Sequence, residues 1–287
     1  LVIGTQSSET GPSIKGSVYG GGENGHNFHD AKVTVHSGTI GIPSGEKVTI
    51  GDIEYEGARF PNRGNVYGSG CGTDTYTGTD SKTYFDFNAG IVRGNTTVLI
   101  DGGHVVHNVY GGGAMGSVGT YTFDANGKPT SCADETGTCT VTVSGGKIGV
   151  TGARMAGYGK GGPDDFGHVF GAGRGEMHDP NLYPNVETCA YFNKTILTIS
   201  GTAFLTGSAY GGSESGHVLG DTEVTIAGGQ IGCGKDSSEP FNNAVWADDY
   251  TPTEDLECAS WPFVAPFAPY DTYANATGNL DQYSNGT

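Results

Sequence analysis

Asn108-Val-Tyr-Gly-Gly-Gly, followed by Thr140-Val-Thr-Val-Ser-Gly-Gly-Lys-Ile, decides the fold, because both halves recur along the chain. The first box returns as Ser17-Val-Tyr-Gly-Gly-Gly, Asn65-Val-Tyr-Gly-Ser-Gly, His168-Val-Phe-Gly-Ala-Gly and Ser208-Ala-Tyr-Gly-Gly-Ser. The second returns as Lys32-Val-Thr-Val-His-Ser-Gly-Thr-Ile, Thr97-Val-Leu-Ile-Asp-Gly-Gly-His-Val, Ile196-Leu-Thr-Ile-Ser-Gly-Thr-Ala-Phe and Glu223-Val-Thr-Ile-Ala-Gly-Gly-Gln-Ile. Two boxes in one fixed order, repeated five times, are an internal repeat of supersecondary units.

Side chains alternate faces along a strand, so Val33 and Val35, Val98 and Ile100, Val141 and Val143, Leu197 and Ile199, and Val224 and Ile226 share one face, the expected core. Thr34, Leu99, Thr142, Thr198 and Thr225 point the other way, and the glycines that follow allow a sharp turn. One apolar residue follows each turn: Ile40, Val105, Ile148, Phe204 or Ile231. In the aromatic boxes Tyr19, Tyr67, Tyr110, Phe170 and Tyr210 alternate with Val18, Val66, Val109, Val169 and Ala209, and either column can face inward.

Repeats that cannot each bury a face stabilise one another by stacking, so the expected fold is all-β, a β-solenoid of about five glycine-rich repeats with irregular loops and an extended C-terminal tail. A β-sandwich or hairpin array is the alternative, and strand direction separates the two. The aromatic boxes start at 17, 65, 108, 168 and 208, and the gap from each turn to the next box is long after copies one and three and short after copies two and four. That alternation predicts a period of two copies, with loops at every second unit. Residues 1–234 form the expected repeat domain and 235–287 a different, aromatic and Pro-rich segment. The tail carries Trp246 and the run Trp261-Pro-Phe-Val-Ala-Pro-Phe-Ala-Pro-Tyr, with Phe263, Phe267 and Tyr270. Proline at that spacing excludes helix and central strand, so the expectation is an extended chain docked on the repeats or on a neighbouring subunit. With Leu1, Val2 and Ile3 at the other end, these aromatics are the candidate assembly contacts.

The 52 glycines of 287 residues lack the every-third-residue period of collagen and mark turns instead. A formal charge of −17 with 14 basic residues opposes a nucleic-acid partner. No run approaches the roughly 18 apolar residues of a membrane helix. A chain beginning at Leu1 rather than Met is expected to have lost a signal peptide, which places it outside the cell or on its surface. The six cysteines have no C-x-x-C pair or zinc-finger spacing, so disulfides are the expectation and reduced cysteines the alternative; Cys132 with Cys139 around a short polar loop, Cys233 with Cys258, and Cys71 with Cys189 are candidate pairs whose connectivity sequence leaves open. Asn95, Asn193, Asn275 and Asn285 are glycosylation sequons.

Chemistry-bearing constellations are sparse. Asp164, Asp165 and His168 in Gly162-Pro-Asp-Asp-Phe-Gly-His resemble the paired acids of polysaccharide hydrolases, without the third acid or basic residue those enzymes need. Glu23, His26 and Asp30, Glu214, His217 and Asp221, and Glu176, His178 and Asp179 recur as acid–His–acid groups that fit a common turn better than a metal site. The nonapeptide with which other solenoids bind calcium is missing, so weak calcium binding is the most expected and no cofactor is assigned. The outward Thr column imitates an ice-binding face but is interrupted by Leu99.

The paired boxes resemble the glycine-rich repeats of exported surface and adhesin-like proteins of Bacteroidetes-type bacteria, over about residues 17–232. That resemblance implies location and role, with no defined active site. The expected function is a secreted, non-catalytic structural protein that self-assembles into an extracellular fibre or surface layer, its partner being itself. A monomeric adhesin or glycan-binding module, with recognition on loops 41–64 and 149–167, is the first alternative. A polysaccharide-degrading enzyme is the second.

Overall fold

The computed structural model describes residues 1–6, 10–43, 47–50, 53–56, 63–149, 167–176 and 184–232. Residues 235–287, with all the candidate assembly aromatics of the tail, lie outside the described residues. The described chain is all-β apart from a 3-10 turn at Val186–Thr188 and belongs to one compact unit. Among the described residues no helix is long and apolar enough to cross a membrane.

Every repeat strand pairs in parallel with its counterpart in the next copy. The long column runs Val2–Ile3, Ala31–Val35, Thr96–Val105, Thr138–Ile148, Lys194–Ile199 and Thr222–Ile226. The short column after the glycine turn runs from Ser13–Ile14 and Thr39–Ile40 through the ends of the two longest strands to Phe204–Leu205 and Gln230–Ile231. The aromatic column is Val18–Tyr19, Val66–Tyr67, Val109–Tyr110, Val169–Phe170 and Ala209–Tyr210. Parallel bridges at Asn27, Val92 and Val118, and the pair Tyr191–Phe192 with His217–Val218, add a fourth line of contact. A hairpin array needs antiparallel neighbours, so parallel pairing removes that alternative.

The alternation of β-branched residues has the expected consequence: Val33, Val35, Val98, Ile100, Val141, Val143, Leu197 and Ile199 all lie in one buried cluster. At the corner, Gly103 and Gly146 both take φ of +75°, a conformation in which a side chain is strained. The Val column of the aromatic boxes faces this core. The middle rings, Tyr67, Tyr110 and Phe170, are buried as well, on the opposite side of the same strands, packed with Ala114 and Cys71, while Tyr19 is half-buried and Tyr210 exposed at the two ends. They stack as one ladder, with centroids 4.7, 4.8, 5.0 and 4.8 Å apart and planes within 10° of parallel.

Two sequence expectations are corrected. All five copies pair with their immediate neighbours, so the stacking period is one copy, while the insertions do fall at every second unit, after copies one and three, as expected. The insertions between Gly41 and Gly64 and between Gly149 and Gly167 close at their necks, where the backbones of each pair touch and leave the ladder continuous. The apolar residue after the fourth turn is Leu205, paired with Ile148, and not Phe204, which pairs with Lys147. One extra residue in that turn shifts the frame, and Ala203 fills the core there. Among the described residues, antiparallel hairpins occur only as outgrowths, at Lys47–Ile50 with Ile53–Glu56, Thr75–Thr77 with Thr83–Phe85, and Tyr121–Phe123 with Pro129–Cys132.

Candidate functional site

The polar residue that opens each aromatic box serves the stack. The Ser17 hydroxyl accepts from Asn65 N at 3.1 Å, Asn65 Oδ1 from Asn108 N at 3.1 Å, Asn108 Oδ1 from His168 N at 2.9 Å, and His168 Nδ1 from Ser208 N at 2.8 Å. His168 is buried and held as an acceptor between copies, which opposes an acid–base role on substrate. Asp164 and Asp165 lie outside the described residues.

The acid–His–acid groups are likewise built into local contacts. The Asp30 carboxylate accepts from Asn95 N at 2.8 Å, Glu214 accepts the Tyr110 hydroxyl, and the His217 ring lies 4.7 Å from that of Tyr191. Among the described residues no three acidic, His or Cys side chains come together as a metal site, and His178 and Asp179 lie outside them. Burial raises the Tyr67 and Tyr110 phenols well above their usual range, so the Tyr110 hydroxyl stays protonated and donates to Glu214, with Arg174 beside it.

Cys71, Cys132, Cys139 and Cys189 are free thiols, which corrects the proposed bridges Cys132–Cys139 and Cys71–Cys189. Cys139 points into a buried cluster with Val118 and Phe192, where burial pushes its thiol up to about 12, whereas Cys132 meets Thr136 Oγ1 at 3.3 Å at the hairpin base. Cys189 packs with Phe85, Met115 and Val186, while Cys71 lies against the tyrosine ladder. Cys233 and Cys258, and the sequons Asn275 and Asn285, lie outside the described residues. Asn95 Nδ2 donates to Glu135 O at 2.7 Å and Asn193 Nδ2 to Thr136 O at 3.5 Å, so a glycan at either would replace a contact inside the fold.

Two histidines make stability depend on acid. His104 Nε2 donates to Gly149 O at 2.7 Å; burial holds its pKa below the usual value, against the pull of that carbonyl and with help from Lys147. Burial also lowers His217. Both rings are more easily protonated in the unfolded chain, so their contribution is complete above about pH 6.5 and is lost as pH falls through the folded values. Thermal melts are expected to show a lower midpoint at pH 5 than at pH 7.5. His104→Gln, which keeps a donor for Gly149 O but cannot titrate, should flatten that slope; an unchanged slope would remove His104 from the account.

The chemically unusual surface is the last copy. Val224 is 43% exposed and Ile226 60%, whereas their counterparts Val141, Val143, Leu197 and Ile199 are at 0%. No described strand covers the outer edge of Thr222–Ile226, Gln230–Ile231 or Ala209–Tyr210. At the opposite edge Val2–Ile3, Ser13–Ile14 and Val18–Tyr19 are the outermost described strands, with Leu1 61% and Val2 65% exposed. Sequence singled out Leu1–Ile3, but not Val224 or Ile226, which read there as ordinary core. No protein-family model, curated protein or solved structure matches this chain.

Proposed function

We propose that the parallel columns wind as a β-solenoid and that the protein is a secreted structural subunit, without a catalytic role, that polymerises into an extracellular fibre or surface layer. The observation that carries this reading is the apolar last described copy, where Val224 and Ile226 are exposed and no described strand follows, while the same positions of the preceding copies are buried. Fully burying such a side chain is worth about 1.5–3 kcal/mol, and an uncovered parallel edge offers backbone donors and acceptors as well. The formal charge of −17 opposes the approach of copies, so added salt is expected to favour assembly. Residence outside the cell and kinship with glycine-rich exported surface proteins belong to the same proposal.

Sedimentation velocity and negative-stain imaging test it. The parent chain is expected to form polymers that grow with concentration and salt. Val224→Asp with Ile226→Asp, at positions already in water, should leave folding intact and yield monomers. A parent that stays monomeric at high concentration and high salt would overturn the proposal.

One observation favours a second reading, a glycan-binding module. Tyr76, exposed on an outlying hairpin, stacks on Tyr84 at 5.6 Å and 18°, a surface that suits a sugar ring. Binding on a glycan array that is lost in Tyr76→Ala would support it, and an array with no binder would remove it.

A further inference from the structure

We propose that the joint between two copies of this chain is head to tail and in register, with Thr222–Ile226 of one copy pairing in parallel with Val2–Ile3 of the next. This rests on the assembly reading above and specifies its geometry. The partner is a second copy because the two edges continue one another column by column. Ile226 and Ile3 occupy one position of the long column, Ile231 and Ile14 one of the short column, and Tyr210 and Tyr19 one of the aromatic column.

All strands in these columns run the same way, so translating one copy onto the next keeps each pair parallel, at the spacing of about 4.8 Å between neighbouring strands. The exposed face of Tyr210, 38% accessible, would then stack on Tyr19 and carry the ring ladder across the joint. A twofold, end-to-end contact would reverse strand direction and place at most one column on its own counterpart. On the receiving side Ile3 and Val18 are already buried, so the newly covered apolar surface comes from Leu1, Ile14 and Tyr19. Such a contact joins two different surfaces and leaves a free end on every copy, the condition for an open filament.

Residues 2 and 225 mark the register. Val2 pairs with Thr34, and that outward position continues through Leu99, Thr142 and Thr198 to Thr225. In the proposed joint these two positions are neighbours on adjacent parallel strands, within the Cα separation of about 4.4–6.8 Å that a disulfide spans. Full-length Val2→Cys and Thr225→Cys chains are prepared separately, mixed under mild oxidation, and their linked peptides identified by mass spectrometry. The expected result is a mixed disulfide between positions 2 and 225 as the dominant new product, lost when Ile226→Asp is added to the Thr225→Cys chain. Polymers without that disulfide would overturn the register and leave the assembly proposal standing. A dominant 225–225 disulfide would establish the twofold contact instead and also overturn it. Monomers without cross-links would overturn both.

Discussion

Replacing Phe192 by alanine is expected to cost about 3–5 kcal/mol, among the largest losses available from one truncation in this fold. The ring is fully buried with Val118, Cys139, Ala172 and Ala190, in the strand that pairs with His217–Val218. Its fit depends on two glycines, one in the preceding copy and one in its own: a Cβ at Gly112 would lie 2.1 Å from the ring, and one at Gly173 2.3 Å from it. Gly112→Ala alone is therefore an overpacking change costing about 1–3 kcal/mol. Combined with Phe192→Ala it should cost less than the sum, because the added methyl enters the space the ring leaves. Urea midpoints at unchanged slope measure this. A single variant within about 1 kcal/mol of the parent, or strict additivity in the pair, would show that the ring does not fill that site.

Gly111→Ala is expected to cost about 3 kcal/mol through a different cause. Gly111 needs no positive φ, yet a Cβ there would stand 2.1 Å from the carbonyl oxygen of Gly171 and 2.8 Å from Val141 Cγ2. The same collision with the next copy recurs at Gly20, Gly68 and Gly171, at 2.2, 2.1 and 2.3 Å. Backbone atoms cannot rotate away, so relief requires parting the strands that Gly111 N holds to Phe170 O at 3.0 Å. Gly16, with no atom within 4 Å of its added Cβ, is the control, and Gly16→Ala should stay within about 0.5 kcal/mol of the parent. Equal effects at the two positions would mean that the contact between copies does not set the cost.

The first glycine of the first four aromatic boxes is thus required by closeness between copies, which sequence could signal only as a recurring letter. The long strands were legible in more detail. Val33 with Val35 and Val141 with Val143 announce a buried face through period two alone, and the glycines after them mark the corner at which Gly103 and Gly146 turn. Period two is the same for parallel and antiparallel partners, so strand direction was not legible. Nor was the orientation of the Val–Tyr boxes, because both of their faces are covered and neither column is polar. Leu205 was missed because one inserted residue shifts the frame after the fourth turn.

Phe192 lies outside both boxes, and its glycine partners Gly112 and Gly173 are distant in sequence, so no local pattern identifies it. The pair Cys132–Cys139 failed for a related reason: spacing brought the two together along the chain, while strand alternation turned Cys139 into the core.

By itself the sequence determined the repeat, the strand faces and the turns, since these follow from side-chain alternation and glycine within a few residues. Only the tertiary structure decided that the copies stack in parallel with a period of one. It also decided which member of each column is covered. Val141 and Val224 sit in equivalent boxes, yet one is at 0% exposure and the other at 43%. Among the described residues a further copy follows Val141 and none follows Val224, and that neighbour is supplied by packing rather than by any residue beside them.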